Sequence, residues 1–147
     1  LPPTAGEYWI DGHTGRSDPA RRATGYVPDT RGIFPRLTGR EHIDLAARLH
    51  RAGRTPDENE DLIEMLGLME VIDIPAAAYS HGQSRRLSLA MALVPNPPVL
   101  LVDEPFDGVD PEGVDTITQL LVDARARGAA TVLAAPVYDP ENLRPRA

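Results

Sequence analysis

Apolar residues recur along this chain at changing intervals, and each change marks an element. Gly6-Glu7-Tyr8-Trp9-Ile10-Asp11-Gly12 is a short aromatic and β-branched run closed by glycine at both ends. It predicts a strand, antiparallel and near a sheet edge, with Trp9 in core or edge packing. Polar sequence runs on to Arg22. Thr24 to Val27 then reads as a second short strand ending at Pro28-Asp29.

Helical spacing takes over in the middle. Thr38-Gly39-Arg40-Glu41 is a capping box, in which threonine and glutamate side chains satisfy free N–H groups reciprocally. The helix it opens carries Ile43, Ala46, Ala47 and Leu49, with Gly53 as the expected stop. Thr55-Pro56-Asp57-Glu58 repeats the device with proline at the first helical position. Leu62, Met65, Leu66 and Met69 form its expected apolar stripe. Residues 38–79 thus read as a small helical layer.

The last third changes period again. Ser80-His81-Gly82-Gln83 opens a helix bearing Leu87, Ala90, Met91 and Val94, ended by Pro95-Asn96-Pro97-Pro98. Val99-Leu100-Leu101-Val102 is a continuous apolar run, as in a parallel strand buried on both faces. Asp110-Pro111-Glu112 caps a helix with Val114, Ile117, Leu120, Leu121 and Ala124, which Gly128 closes. Residues 131–135 make the next strand. Strand, helix and strand in this order predict a parallel βαβ unit.

Composition narrows the function. All 15 Lys+Arg positions among the 147 residues are arginine, so this chain has no lysine for Schiff-base chemistry or a phosphate-binding P-loop. It has no cysteine, which removes thiolate nucleophiles, disulfides and cysteine-held zinc. A net charge of −7 opposes nucleic-acid binding, since a phosphate backbone rewards a positive face. No run approaches the ~18 apolar residues of a membrane span, and no signal peptide is visible, so the expected setting is cytosolic. Leu1 in place of Met leads us to expect a cut or incomplete start.

Two places carry candidate chemistry. Asp103-Glu104 follows the apolar strand at its carboxyl end, where open α/β sheets bind ligands. Such an aspartate can hold magnesium while the glutamate orients an attacking water, although a plain surface acidic pair fits the same residues. Ser80 and Gly82 at a helix start offer free N–H groups, a dipole end and a hydroxyl to a phosphate. On local grounds simple N-capping by Ser80 is the favoured reading. His13, His42 and His50 lack metal-ligand spacing and read as surface residues. Arg125 and Arg127 complement a helix C-terminus, whereas Arg85 and Arg86 oppose the dipole at a helix start.

Taken together, the motifs resemble a family. Tyr79-Ser80-His81-Gly82-Gln83-Ser84-Arg85-Arg86-Leu87, then Asp103-Glu104-Pro105, then Asp107-Gly108-Val109-Asp110-Pro111 are similar in order and spacing to the ATP-binding-cassette (ABC) ATPases. There the corresponding motifs are the signature, the Walker B strand with its glutamate, and the D-loop. Gly25-Tyr26-Val27-Pro28-Asp29 and Pro35-Arg36-Leu37-Thr38-Gly39-Arg40-Glu41 resemble the Q-loop and the start of the helical subdomain in multidrug and antibiotic exporters.

The resemblance implies an α/β fold: an incomplete P-loop NTPase with a parallel βαβ unit, short N-terminal antiparallel strands and a helical subdomain. Its expected parts are 1–37 (strands and Q-loop region), 38–94 (helical subdomain with signature) and 99–137 (Walker B, D-loop and following strand). It implies a head-to-tail dimer with a second ABC domain, homo- or heterodimeric, with ATP and Mg2+ between the protomers. Ser80, His81, Gly82 and Gln83 then face ATP held by the partner, with His81 sitting at the cap. Asp103 and Asp29 are the implied magnesium ligands, Glu104 the catalytic residue, and Asp110 the D-loop residue reaching across. The implied partners include transmembrane permease subunits, placing the protein on the cytoplasmic membrane face, with no nucleic acid.

Departures sharpen this. Asp29 stands for the usual Q-loop glutamine, and Val137 for the switch histidine, which puts hydrolysis by this chain in doubt. Walker A is absent, so an N-terminally truncated ATPase is the leading expectation. A degenerate subunit lending its signature to an intact ATPase is the alternative. A soluble non-transport ABC protein is a third, disfavoured by the acidic charge and the exporter-like 35–41 segment.

Overall fold

The computed structural model describes residues 4–28, 32–51 and 53–134. A three-stranded parallel sheet runs β3 (Thr24–Val27), β4 (Val99–Asp103), β5 (Ala130–Ala134), in that spatial order. Tyr26, Leu101 and Val132 lie in register across it. A separate antiparallel hairpin pairs β1 (Trp9–Ile10) with β2 (His13–Thr14). The expected antiparallel start is present, and β4 and β5 pair in parallel across an intervening helix, as the expected βαβ unit requires. Trp9 departs from expectation: it is 64% exposed, because so short a hairpin buries neither face.

The polar stretch before Arg22 holds β2 and α1 (Asp18–Arg22). Ser17 caps α1 by accepting from Ala20 N, and Pro19 sits in its first turn. α2 (Gly39–His50) and α3 (Pro56–Met65) both start with the predicted capping boxes. However, α2 stops before Gly53, because Arg51 turns left-handed at φ 56°.

The stripe expected on α3 is corrected as well. Leu62, Ile63, Leu66 and Leu68 are buried, while Met65 and Met69 are half exposed. The reason is local. Gly67 adopts φ +61°, its N–H bonds Glu64 O, and Leu68 N–H bonds Ile63 O. That is a Schellman closure, and it ends the helical period before Met69. α5 (Pro111–Ala126) closes the same way through Gly128 N–H to Arg125 O and Ala129 N–H to Ala124 O.

α4 (His81–Leu93) is the central helix, with Leu87, Leu89, Ala90, Ala92 and Leu93 all buried. It lies against β3, where Gly25 permits close contact: a Cβ there would stand 2.3 Å from Ala92 O. Leu100 and Val102 of β4 join α4 and α5 residues Ile117, Leu120 and Leu121 in one core. The opposite sheet face differs from the expected double burial. Tyr26 and Val132 are 56% and 61% exposed, and Leu101 between them is half-buried. Among the described residues no element covers that face, so β4 is dressed on one side only.

Candidate functional site

The capping box that opens α4 decides the local geometry of Ser80 to Gln83. Ser80 Oγ accepts from Gln83 N at 3.2 Å, and Gln83 Oε1 accepts from Ser80 N at 2.8 Å. Capping therefore occurs, and it uses only the acceptor side of the hydroxyl. The O–H remains a donor, and so does the Gln83 amide NH2, which takes no part in the box. Cap and phosphate contact are compatible in the same residues.

Tyr79, immediately before this cap, is buried and donates its O–H to Val71 O at 2.6 Å. Burial raises the Tyr79 hydroxyl above the usual phenol range, since the phenolate would lose water. The ring packs on the start of α2, where a Cβ on Gly39 would lie 2.3 Å from Tyr79 Oη. Upstream, Ala76 N donates to Leu37 O at 2.9 Å and Ala77 N to Pro35 O at 3.0 Å. These bonds tie the segment before Ser80 to the loop before α2. That loop forms an apolar groove lined by Phe34, Pro35, Arg36, Leu37 and Leu45. Arg40 adds a bridge within the helical layer, bonded to Asp73 at 2.8 Å and also to Glu60. The two carboxylates hold its guanidinium firmly protonated, the Asp73 bond contributing most.

On the sheet side, β4 ends at Asp103, and Glu104 follows with a left-handed φ of 46°. A non-glycine residue in that region costs about 1–2 kcal/mol. Glu104 N donates to Ala134 O at 2.8 Å, so β5 holds the strained turn in place. Asp103 and Glu104 are both half-buried. Adjacent carboxylates at a strand end are hard oxygen donors of the kind that suits a magnesium ion carried by a nucleotide. The site residues present thus fit Mg-ATP chemistry, though the described residues contain no cluster of three or more acidic or histidine ligands for a free metal.

The chain after Glu104 folds back onto the start of α4. His81 Nε2 lies 2.9 Å from Asp107 Oδ2. A Cβ on Gly82 would stand 3.0 Å from Gly108 O, and one on Gly108 (φ +68°) would run into the His81 ring at 2.2 Å. Asp110 caps α5 through Gly113 N at 2.7 Å, and its other oxygen takes Arg86 Nη2 at 2.9 Å. Both Asp110 oxygens are thus engaged within the chain.

Ser80, His81, Gly82 and Gln83 are therefore brought beside Asp107, Gly108 and Asp110, on the chain that leads from Asp103 and Glu104. Asp29 and Val137 lie outside the described residues. Sequence reasoning missed Asp107 and Gly108 as a contact surface, although Asp-Gly is a recognisable turn dipeptide. It also misread His42. That residue is fully buried, since Thr38 O and Phe34 N occupy its two ring nitrogens. His50 is half-buried, its Nδ1 2.9 Å from Arg22 O, whereas His13 is exposed as expected. Arg85, expected to oppose the dipole, is buried and donates to Pro28 O at 2.6 Å.

Comparison with known proteins agrees with this arrangement. The sequence model of the ABC transporter family matches residues 1–107. ATP-binding cassette sub-family A member 7 of Rattus norvegicus is 38% identical over 135 residues, covering 89% of this chain and 6% of that protein. The lipopolysaccharide export system ATP-binding protein of Haemophilus influenzae is 37% identical, covering 78% of this chain and 48% of that one. The chain thus spans less than half the length of either relative. Among solved structures, a dimeric post-hydrolysis ATP-binding cassette bound to ADP and Pi superposes with a TM-score of 0.80 at 25% identity, covering 96% of this chain and 66% of its own. An ATP-binding subunit of an ABC transporter gives 0.78 at 27% identity, covering 86% and 54%. Motif order, sheet topology and these likenesses converge: the chain belongs to the ABC transporter family, within its ATP-binding domain.

Proposed function

We propose that this chain is the signature-bearing part of an ABC export subunit, closing over ATP held by a second ABC domain. The observation that carries the reading is the close approach of Gly82 to Gly108 O, flanked by the His81–Asp107 bond. It sets the phosphate-facing cap and the D-loop side by side. Ser80, Gly82 and Gln83 contact the γ-phosphate and ribose, with His81 fixing the turn beneath them. Bound Mg-ATP supplies the transferable phosphoryl group and the cation's charge. Asp103 and Asp29 provide oxygen ligands, Glu104 orients and polarises water, and Asp110 lies on the surface that meets the partner.

In this reading residues 1–37, 38–94 and 99–137 are the Q-loop side, helical subdomain and Walker B side of an incomplete domain. The uncovered sheet face at Tyr26, Leu101 and Val132 supports a missing Walker A segment, whose helix would dress it. The apolar groove at Phe34, Pro35, Leu37 and Leu45 suits a cytoplasmic segment of a transmembrane permease subunit, which would hold the chain at the cytoplasmic membrane face. Among the described residues, no helix is long and apolar enough to cross a membrane itself. The exported cargo is drug-like or antibiotic in character. Relatives named for lipopolysaccharide export and phospholipid transport extend that class to amphipathic lipids.

The test mixes this chain with a complete, lysine-bearing ABC domain of the same transporter and follows ATP hydrolysis. Stimulation lost on Ser80→Ala supports the reading; no stimulation by the unaltered chain overturns it. Val137 in the place of the switch histidine favours a second reading, a degenerate subunit that lends its signature only. Under it Ser80→Ala abolishes stimulation while Glu104→Gln leaves it intact. Docking is tested separately: Phe34→Asp with Leu37→Asp should release the chain from membranes carrying the permease while circular dichroism shows it still folded.

A further inference from the structure

His42 lies on α2 directly behind the groove and is fully buried. Its Nδ1 is 2.7 Å from Thr38 O, and a carbonyl can only accept, so Nδ1 carries a proton. Phe34 N–H donates to Nε2 at 2.8 Å, so that nitrogen is bare. The two contacts together define one species, the neutral Nδ1–H tautomer. The His42 and Phe34 rings also stack, with centroids 5.9 Å apart and planes 25° apart. Phe34 is otherwise 55% exposed and forms the outer wall of the groove.

A second proton on Nε2 would set N–H against N–H at a contact with no room for water. We propose that His42 is a proton-sensitive latch on this groove: neutral, it fixes the Phe34 wall, and protonated, it releases it.

α4, which packs against α2, brings the buried Arg85, whose guanidinium donates to Pro28 O at 2.6 Å. On α2 itself Glu41 and Asp44 flank His42, and Glu41 is spent on Thr38 N at 2.8 Å. The loop contributes Arg36, and the segment bonded to that loop contributes Tyr79, whose O–H is used by Val71 O. Among the described residues none of them forms an ion pair or hydrogen bond with His42. Release is local as well, because Pro35 O and Leu37 O remain bonded to Ala77 N and Ala76 N. The latch therefore moves one wall of the groove and leaves its floor.

Its value for partner docking rests on the groove reading above, but its test needs no partner. The full chain is titrated by 15N NMR from pH 8 to pH 5, following the His42 ring nitrogens and the Phe34 amide. The expected result is the Nδ1–H tautomer at pH 8, and a Phe34 amide shift that tracks His42 protonation. The hydrogen-exchange protection of that amide should fall at least about tenfold over the same range. His42→Phe should give the unprotected Phe34 amide at every pH. Should that variant fail to fold, the unaltered chain still decides the matter. An Nε2–H tautomer, or a Phe34 amide indifferent to His42 protonation, overturns the latch and leaves the docking reading standing.

Discussion

His81 Nε2 and Asp107 Oδ2 are 2.9 Å apart across 26 residues of sequence, joining the start of α4 to the turn after β4. Both side chains are substantially exposed, at 42% and 57%. Exposed pairs contribute under about 1 kcal/mol. Asp107→Asn should therefore lower stability in urea by less than about 1 kcal/mol, yet speed hydrogen exchange across residues 105–109. Unchanged exchange there would show that the Gly82–Gly108 contact alone holds the turn.

Ser80 caps α4, and under the proposed function it also meets a phosphate; substitution can separate the two. Ser80→Ala removes the cap and should cost about 1 kcal/mol, besides the hydroxyl donor. Ser80→Asp keeps a good N-cap but sets a negative charge where a phosphate would sit. It should melt like the unaltered chain and fail to stimulate a complete ABC domain. Full stimulation by Ser80→Asp would return Ser80 to a purely structural role.

Gly25→Ala should destabilise by about 2 kcal/mol or more. The new Cβ meets Ala92 O at 2.3 Å, and backbone cannot rotate aside as a side chain can. Urea unfolding measures the loss. An unaffected midpoint would mean that α4 and β3 can separate without cost.

Tyr79 gives a pH dependence with a definite sign. Burial raises its folded-state value above that of the unfolded chain. Its contribution is thus fully present below about pH 10 and is lost as pH rises through the folded value. Tyr79→Phe, which forfeits one buried hydrogen bond worth about 1 kcal/mol, should be less stable at pH 8 and show a shallower alkaline decline. Parallel urea titrations at pH 8 and pH 11 compare the two.

At the acid end, the Thr55 backbone and side-chain bonds hold Glu58 below the usual carboxylate range. Its contribution is present above the ordinary glutamate value and lost as pH falls through the lowered one. Glu58→Gln should therefore flatten part of the acid limb of the stability profile, read by circular dichroism between pH 6 and pH 3. An acid limb identical to that of the unaltered chain would count against the cap bond.

Much of this was legible in the sequence because its signals are local. Thr38 with Glu41, Thr55 with Glu58, and Ser80 with Gln83 announce their helices through side chains three residues apart. The 99–102 run announces a strand. What escaped reading depends on distant partners. His42 is surface-like by composition, and its burial depends on partners distant in sequence, with Phe34 returning over α2 to stack on its ring. Met65 and Met69 satisfy a helical period that Gly67 cancels with a single left-handed turn. Leu101 was expected to be buried on the strength of its neighbours in sequence, but its exposure is set by what lies over the sheet. For the site, motif order was visible, whereas the Gly82–Gly108 approach needed the fold.

The two backbone bonds from Ala76 and Ala77 to the groove loop have a mechanical consequence. From Ala77 to Ser80 the chain has only three residues, about 10 Å of full extension and less as folded. There is little slack to absorb a push on the loop. A displacement of the Pro35 wall by even an ångström or two must be taken up at Tyr79 or delivered to Ser80. Tyr79 is anchored at Val71 and wedged against Gly39. The stroke therefore arrives at the Ser80 cap, and the groove and the cap behave as two ends of one short rod.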